Sequence, residues 1–192
     1  MAILLAGFAP VPKSKPHAPD AFGRALAQAA IEQTQRFVLY DSAYVRITYP
    51  MGDVPADRGV CADVVVRAYR ALGHDLQVLV HEDMRRAFAR YPQRWGLARA
   101  DPNIDHRRVP NLATFFARHG VRLGTARDPA LYRAGDLVTW LVAGARPHIG
   151  VVTDRRDVDG SRPLVVHNIG AGPQIEDVLF AFPITGHYRF RP

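Results

Sequence analysis

The chain has 192 residues, 48% of them hydrophobic and 22% charged, which suits one domain with a real core and is too short for two large ones. The net charge is +7, and 23 of the 25 basic residues are arginine, so an anionic partner fits: nucleic acid, a lipid surface or an anionic cell-wall polymer. The arginines are scattered, without zinc-finger spacing or an aromatic-basic pattern, which argues against nucleic acid. The single cysteine excludes a disulfide framework and a multi-cysteine zinc site, and no apolar run reaches the roughly 18 residues of a spanning helix.

The first nine residues, MAILLAGFA, read like the tail of a signal-peptide apolar region, without a positive start. Residues 10 to 20 hold four prolines and form an extended lead-in. Asp20 is placed to cap a helix from Ala21 to Tyr40, with Phe22, Leu26, Ala29, Ala30 and Phe37 as its buried stripe. Tyr44 to Tyr49 alternates like a short strand.

The stretch from Tyr49 to Gly73 holds Cys61. A turn-rich run precedes it, and Val64, Val65, Ala68, Tyr69 and Leu72 recur behind it at helical spacing. Cys61 therefore opens a helix, where free N–H groups and the positive end of the helix dipole favour a thiolate. The alternative is a small buried hydrophobe.

A second helix runs through LQVLVHEDMRRAFARYP and ends before Pro92. Its His81-Glu82-Asp83 lacks the HExxH zinc spacing and reads as a solvated face. Residues 92 to 110 form a long irregular segment. Its Asp105-His106-Arg107-Arg108 is either a substrate contact or a surface loop held by Asp–Arg contacts. Pro110 starts a helix that ends near His119, a dipole-complementing residue.

Strands follow at Asp136–Trp140, His148–Thr153, Leu164–His167 and His187–Phe190. Helices first and strands later predict an α+β fold with a mostly antiparallel sheet. The polar link between the second and third of these strands reads as a hairpin. Centred between Asp157 and Val158, it sets His148 directly opposite His167, on one face of the sheet. Two adjacent histidines suit either a metal, which needs further ligands, or a Cys–His pair. In the pair His148 takes the thiol proton and His167 orients its ring, Asn168 filling that role if the register slips.

This order of parts resembles the NlpC-type bacterial cell-wall peptidases, a branch of the papain-like fold. The matching pieces are Tyr49 and Gly52 ahead of Cys61, Ala134-Gly135-Asp136-Leu137-Val138, and His148-Ile149-Gly150. Cys61 departs from the pattern, being flanked by Val60 and Ala62-Asp63 rather than by Asp and Ser-Gly. More specifically, GDVPADRGVC, LVHEDM, NIDHRRVPNL, PHIGVV and VVHNIGAGPQ resemble the YijF-like family of bacterial domains of unknown function, which implies no substrate.

The peptidase resemblance implies a single papain-like hydrolase domain over residues 21 to 192. It implies cleavage of peptidoglycan amides through a thioester on Cys61, with no cofactor or metal, in a monomer exported to the periplasm or envelope. It implies an oxyanion site from the Cys61 N–H and the Tyr49 hydroxyl. Arg58 becomes a reader of substrate carboxylate, and Gly170 and Gly172 let backbone line the cleft. Two other functions fit the same residues: a non-catalytic wall-peptide-binding module, and acyl transfer from the same thioester.

Overall fold

The computed structural model describes residues 21–192; the apolar start, the proline-rich lead-in and Asp20 lie outside the described residues. Helix α1 (Ala21–Glu32) buries Leu26, Ala29 and Ala30, as the spacing predicts, and also Ala27 and Ile31, while Phe22 is half-buried. It ends well short of Tyr40. A 3-10 turn, Gln33–Gln35, follows, and Arg36 is already extended. Phe37 is consequently 83% exposed rather than part of the buried stripe.

The strand expected at Tyr44 to Tyr49 does not form. Side chains take its backbone groups instead: the Ile47 N–H donates to Asn103 at 3.0 Å, and Gln77 donates to the Thr48 carbonyl at 2.8 Å. A two-residue strand appears earlier. β1 (Leu39–Tyr40) runs parallel to β2 (Arg58–Gly59), with Tyr40 beside Gly59. No hydrophobic pattern marks so short a pair.

Helix α2 (Cys61–Ala71) is buried along most of its length, and Gly73, at φ +84°, lets the chain turn away after it. Helix α3 (Leu76–Ala87) starts on Asp75, whose carboxylate accepts the Gln77 N–H. Helix α4 (Val109–His119) carries Pro110 in its first turn.

Among the described residues six antiparallel strands form the main sheet: β3 (Val121–Arg122), β4 (Leu137–Val142), β5 (Arg146–Arg156), β6 (Pro163–His167), β7 (Gln174–Glu176) and β8 (Ile184–Arg189), in the order β3-β8-β4-β5-β6-β7. The architecture is α+β, as expected. Leu137, Ile149, Val151, Val166 and Tyr188 pack against the helices. Val138, Trp140, Val152 and Val165 face the other way and are covered by Leu179 and its neighbours. Both faces are thus dry, which is why the strands read as continuous apolar runs.

Gly135-Asp136 is a structural joint. The buried Asp136 carboxylate accepts the Arg133 N–H at 2.9 Å, lies 2.8 Å from Nε2 of His187 and pairs with Arg189 at 2.7 Å, tying β8 to the start of β4.

Candidate functional site

The start of α2 is held from several sides. Arg67 gathers the preceding loop, donating to Asp53 and to the carbonyls of Val54, Pro55 and Arg58. Asp63 reaches back to the Val60 N–H at 2.7 Å, one half of a capping box. Arg107 grips both Asp63 oxygens, at 2.8 and 2.9 Å. The run Asp105-His106-Arg107, expected at the surface, is therefore buried and acts as a prop for the helix.

Cys61 is 4% exposed. Burial pushes its thiol up to about 11, and the Asp63 charge adds to this. The N–H groups of Ile149, Ala62 and Cys61 itself work in the opposite direction and lose. The resting form is the thiol, so the thiolate expected from the helix dipole is corrected by burial.

The contact with Ile149 has a clear origin in the sheet. The Val152 N–H donates across to Asp136 on the β4 side. Alternate residues 150 and 148 point their N–H groups that way too, and the odd residues face β6. β6 ends at His167, so among the described residues the Ile149 N–H has no strand partner and meets the Cys61 sulfur.

The two histidines do meet, but by a different register. Val151 pairs with Val166 and Val152 with Val165, so Gly150, not His148, stands opposite His167. The slip is two residues, which preserves the face. Gly150 makes the diagonal contact possible, because a Cβ there would sit 2.7 Å from Val165 Cγ1 and 3.2 Å from His167 Cβ. Nε2 of His148 lies 2.9 Å from Nδ1 of His167, with the rings nearly perpendicular. Trp140 lies directly across β4 from His148 and tilts against its ring. Burial lowers His148 to about 3, helped by the His167 charge. Burial also lowers His167, partly offset by Glu176, whose Oε2 is 2.8 Å from Nε2 of His167.

His148 and His167 thus project on the sheet face away from α2, and the thiol reaches the unpaired edge of β5 from the helix side. Among the described residues no hydrogen bond joins the sulfur to either ring. Of the other predicted residues, Asn168 is buried and donates to the Gly59 carbonyl at 3.4 Å, two residues before the thiol. Its own side chain accepts the Gly170 N–H at 3.1 Å, closing the turn. Gly172 brings that turn against the Val38 carbonyl. Arg58 is committed to Asp41 at 2.7 Å. The Tyr49 hydroxyl donates to Glu82 on α3 at 3.2 Å and its ring packs on His81.

The tyrosine near the sulfur is Tyr40. Burial raises its pKa, with the charge of Cys61 the next cause and Arg146 acting against both. Only the pairing of β1 with β2 brings Tyr40 there, and the sequence gives no sign of it. Glu176 was equally hidden, since β7 has only three residues. Nor is His81-Glu82-Asp83 wholly solvated: Asp83 is buried, bonded to Tyr91 at 2.6 Å and Arg118 at 2.7 Å, with His119 at 3.0 Å. Among the described residues no three His, Cys, Asp or Glu side chains converge as a metal site, and no helix is long and apolar enough to cross a membrane.

Comparison with known proteins gives a family but no activity. No solved structure matches the chain. It is 56% identical over 166 residues to "Uncharacterized protein YijF" of Escherichia coli (strain K12), covering 86% of this chain and 80% of that protein. The family model described as "Domain of unknown function (DUF1287)" matches residues 27–190, and the chain belongs to that family.

Proposed function

We propose that this protein is a cysteine-dependent amide hydrolase of papain-like, NlpC-type architecture, acting on peptidoglycan peptides in the periplasm or cell envelope. The observation that carries the reading is the buried His148–His167 pair, with His148 next along β5 to the Ile149 whose N–H meets the Cys61 sulfur. A helix-start cysteine followed by His-hydrophobic-Gly and a second histidine is the order of parts in those peptidases, and a net charge of +7 suits an anionic wall polymer.

In the proposed reaction the His148 ring, which rests on the opposite face of the sheet, swings past the unpaired edge of β5 to take the Cys61 proton as the sulfur attacks the amide carbon. The oxyanion is met by the Cys61 N–H and by the Tyr40 hydroxyl, in the role first expected of Tyr49. The C–N bond breaks, His148 returns its proton to the departing amine, and a thioester remains on Cys61. Water, deprotonated by His148, then releases the acid and restores the thiol. Because the resting pair is thiol and neutral imidazole, the proton moves only as the substrate closes on the site. An amine in place of water would give acyl transfer.

The test is digestion of purified wall material by wild type and Cys61→Ala, read by mass spectrometry. New peptide fragments from wild type alone are expected; no product from wild type between pH 5 and 9 sinks the proposal.

A second reading has one observation in its favour. A thiol pushed up to about 11, without a hydrogen bond to His148, suits a wall-peptide-binding module on a degenerate peptidase fold. Alkylation of Cys61 by iodoacetamide against pH separates the two. A rate that rises only above the ordinary cysteine range and ignores His148→Ala favours the module.

A further inference from the structure

The hydrogen positions on the two histidines follow from a residue outside the expected triad. One proton lies between Nε2 of His148 and Nδ1 of His167, which are 2.9 Å apart. Two arrangements are open to a pair of neutral rings. If the proton belongs to His167 Nδ1, then Nε2 of His167 is bare and its lone pair faces the Glu176 carboxylate at 2.8 Å. Two acceptors then confront each other at a buried atom. If Nε2 of His167 carries the proton, Glu176 accepts it, Nδ1 of His167 is bare, and it accepts from Nε2–H of His148. Neutral His148 is then left with a bare Nδ1.

We infer that Glu176 is the positioning residue that fixes both tautomers, leaving Nδ1 of His148 as the basic nitrogen of the site.

Three features support this. Nε2 of His167 is a buried nitrogen without an aligned partner, and such a group is costly to leave unmade. Glu176 Oε2 stands at contact distance but off the N–H axis, so rotation of this half-exposed side chain is all that alignment needs. The register brings the carboxylate to the ring by design of the sheet: Glu176 pairs with Val165, two residues from His167 on the same face of β6. The order of groups is then Glu176, His167, His148, with the last ring nitrogen free for the thiol proton. Only that final step rests on the proposed hydrolase reading; the tautomers do not.

The experiment is nitrogen-15 NMR of the imidazole rings in the full chain at pH 7, for wild type, Glu176→Asp and Glu176→Lys. Wild type and Glu176→Asp are expected to show His148 protonated at Nε2 and bare at Nδ1. Glu176→Lys places donors opposite Nε2 of His167 and is expected to invert both rings, moving the His148 proton to Nδ1. A His148 that stays bare at Nδ1 in Glu176→Lys, with circular dichroism unchanged, overturns the inference. So does a wild type protonated at Nδ1. On wall peptides, turnover in Glu176→Lys is expected to fall on the order of 10²-fold, the lower end of what a correctly protonated base contributes, with Glu176→Asp restoring most of it. If wild type cleaves nothing, the hydrolase reading fails while the ring-nitrogen shifts still decide the role of Glu176.

Discussion

Gly150 shows how one missing side chain shapes a site. It stands opposite His167, on the face shared with His148, and its bare Cα lets one imidazole reach diagonally to the other. A methyl group there would press on Val165 Cγ1 at 2.7 Å and on the Val166 carbonyl at 2.9 Å. The second of these is backbone, so β6 must move. Gly150→Ala is expected to cost about 1–3 kcal/mol, the usual penalty for an overfilled core. Urea unfolding reads that loss. The same variant separates the rings, so the nitrogen-15 shifts of His148 and His167 should change together. Unchanged stability and unchanged shifts would show that the strands have slack at this point.

At the scale of elements, the start of α2 depends on a segment far along the chain. Asp63 is buried, accepts the Val60 N–H, and is neutralised by Arg107 from the irregular stretch between α3 and α4. Removing the guanidinium leaves a carboxylate out of water with no counter-charge. Arg107→Ala is therefore expected to lose about 3–5 kcal/mol in denaturant unfolding, whereas Arg58→Ala, at a solvent-screened pair with Asp41, is expected to leave the unfolding midpoint almost where it was. Equal losses would refute the division between buried prop and surface pair.

The same contrast explains what the sequence disclosed. Helical spacing behind Cys61 and turn signals around the later strands were enough to find α2, α3, α4 and the long strands, since apolar periodicity records which face is buried. The face shared by His148 and His167 was legible because alternation survives a two-residue slip. The exact register was not, because a ladder irregularity lies between Val152 and Arg156. Tyr40, Arg107 and Glu176 reach their places through two- or three-residue pairings and one long-range ion pair. None of these leaves a periodic trace, and the peptidase resemblance pointed to Tyr49 instead.

For the molecule as a whole, buried neutral histidines set the response to acid. Burial, and then the nearby Arg107 charge, lowers His106 to about 4; burial, and then His167, lowers His148 to about 3. Both lie below the unfolded value of about 6.5, so the unfolded chain binds more protons in between. Their contribution is complete above pH 6.5 and is lost as pH falls toward the folded values. Each removes roughly 1.4 kcal/mol per pH unit once below 6.5. Urea midpoints are expected to drop steadily from pH 6.5 to 5, above the carboxylate range, and His106→Asn should shallow that slope. A flat profile would mean that these rings are hydrated in solution.

The sulfur belongs to the helical part of the chain and both imidazoles to the sheet. β6, which carries His167, comes late in the order of elements. A ribosome releases the cysteine long before either ring is made. Any truncated or clipped product that ends short of β5 carries the thiol without either imidazole, so under the proposed reaction connectivity alone withholds the base from a half-made chain.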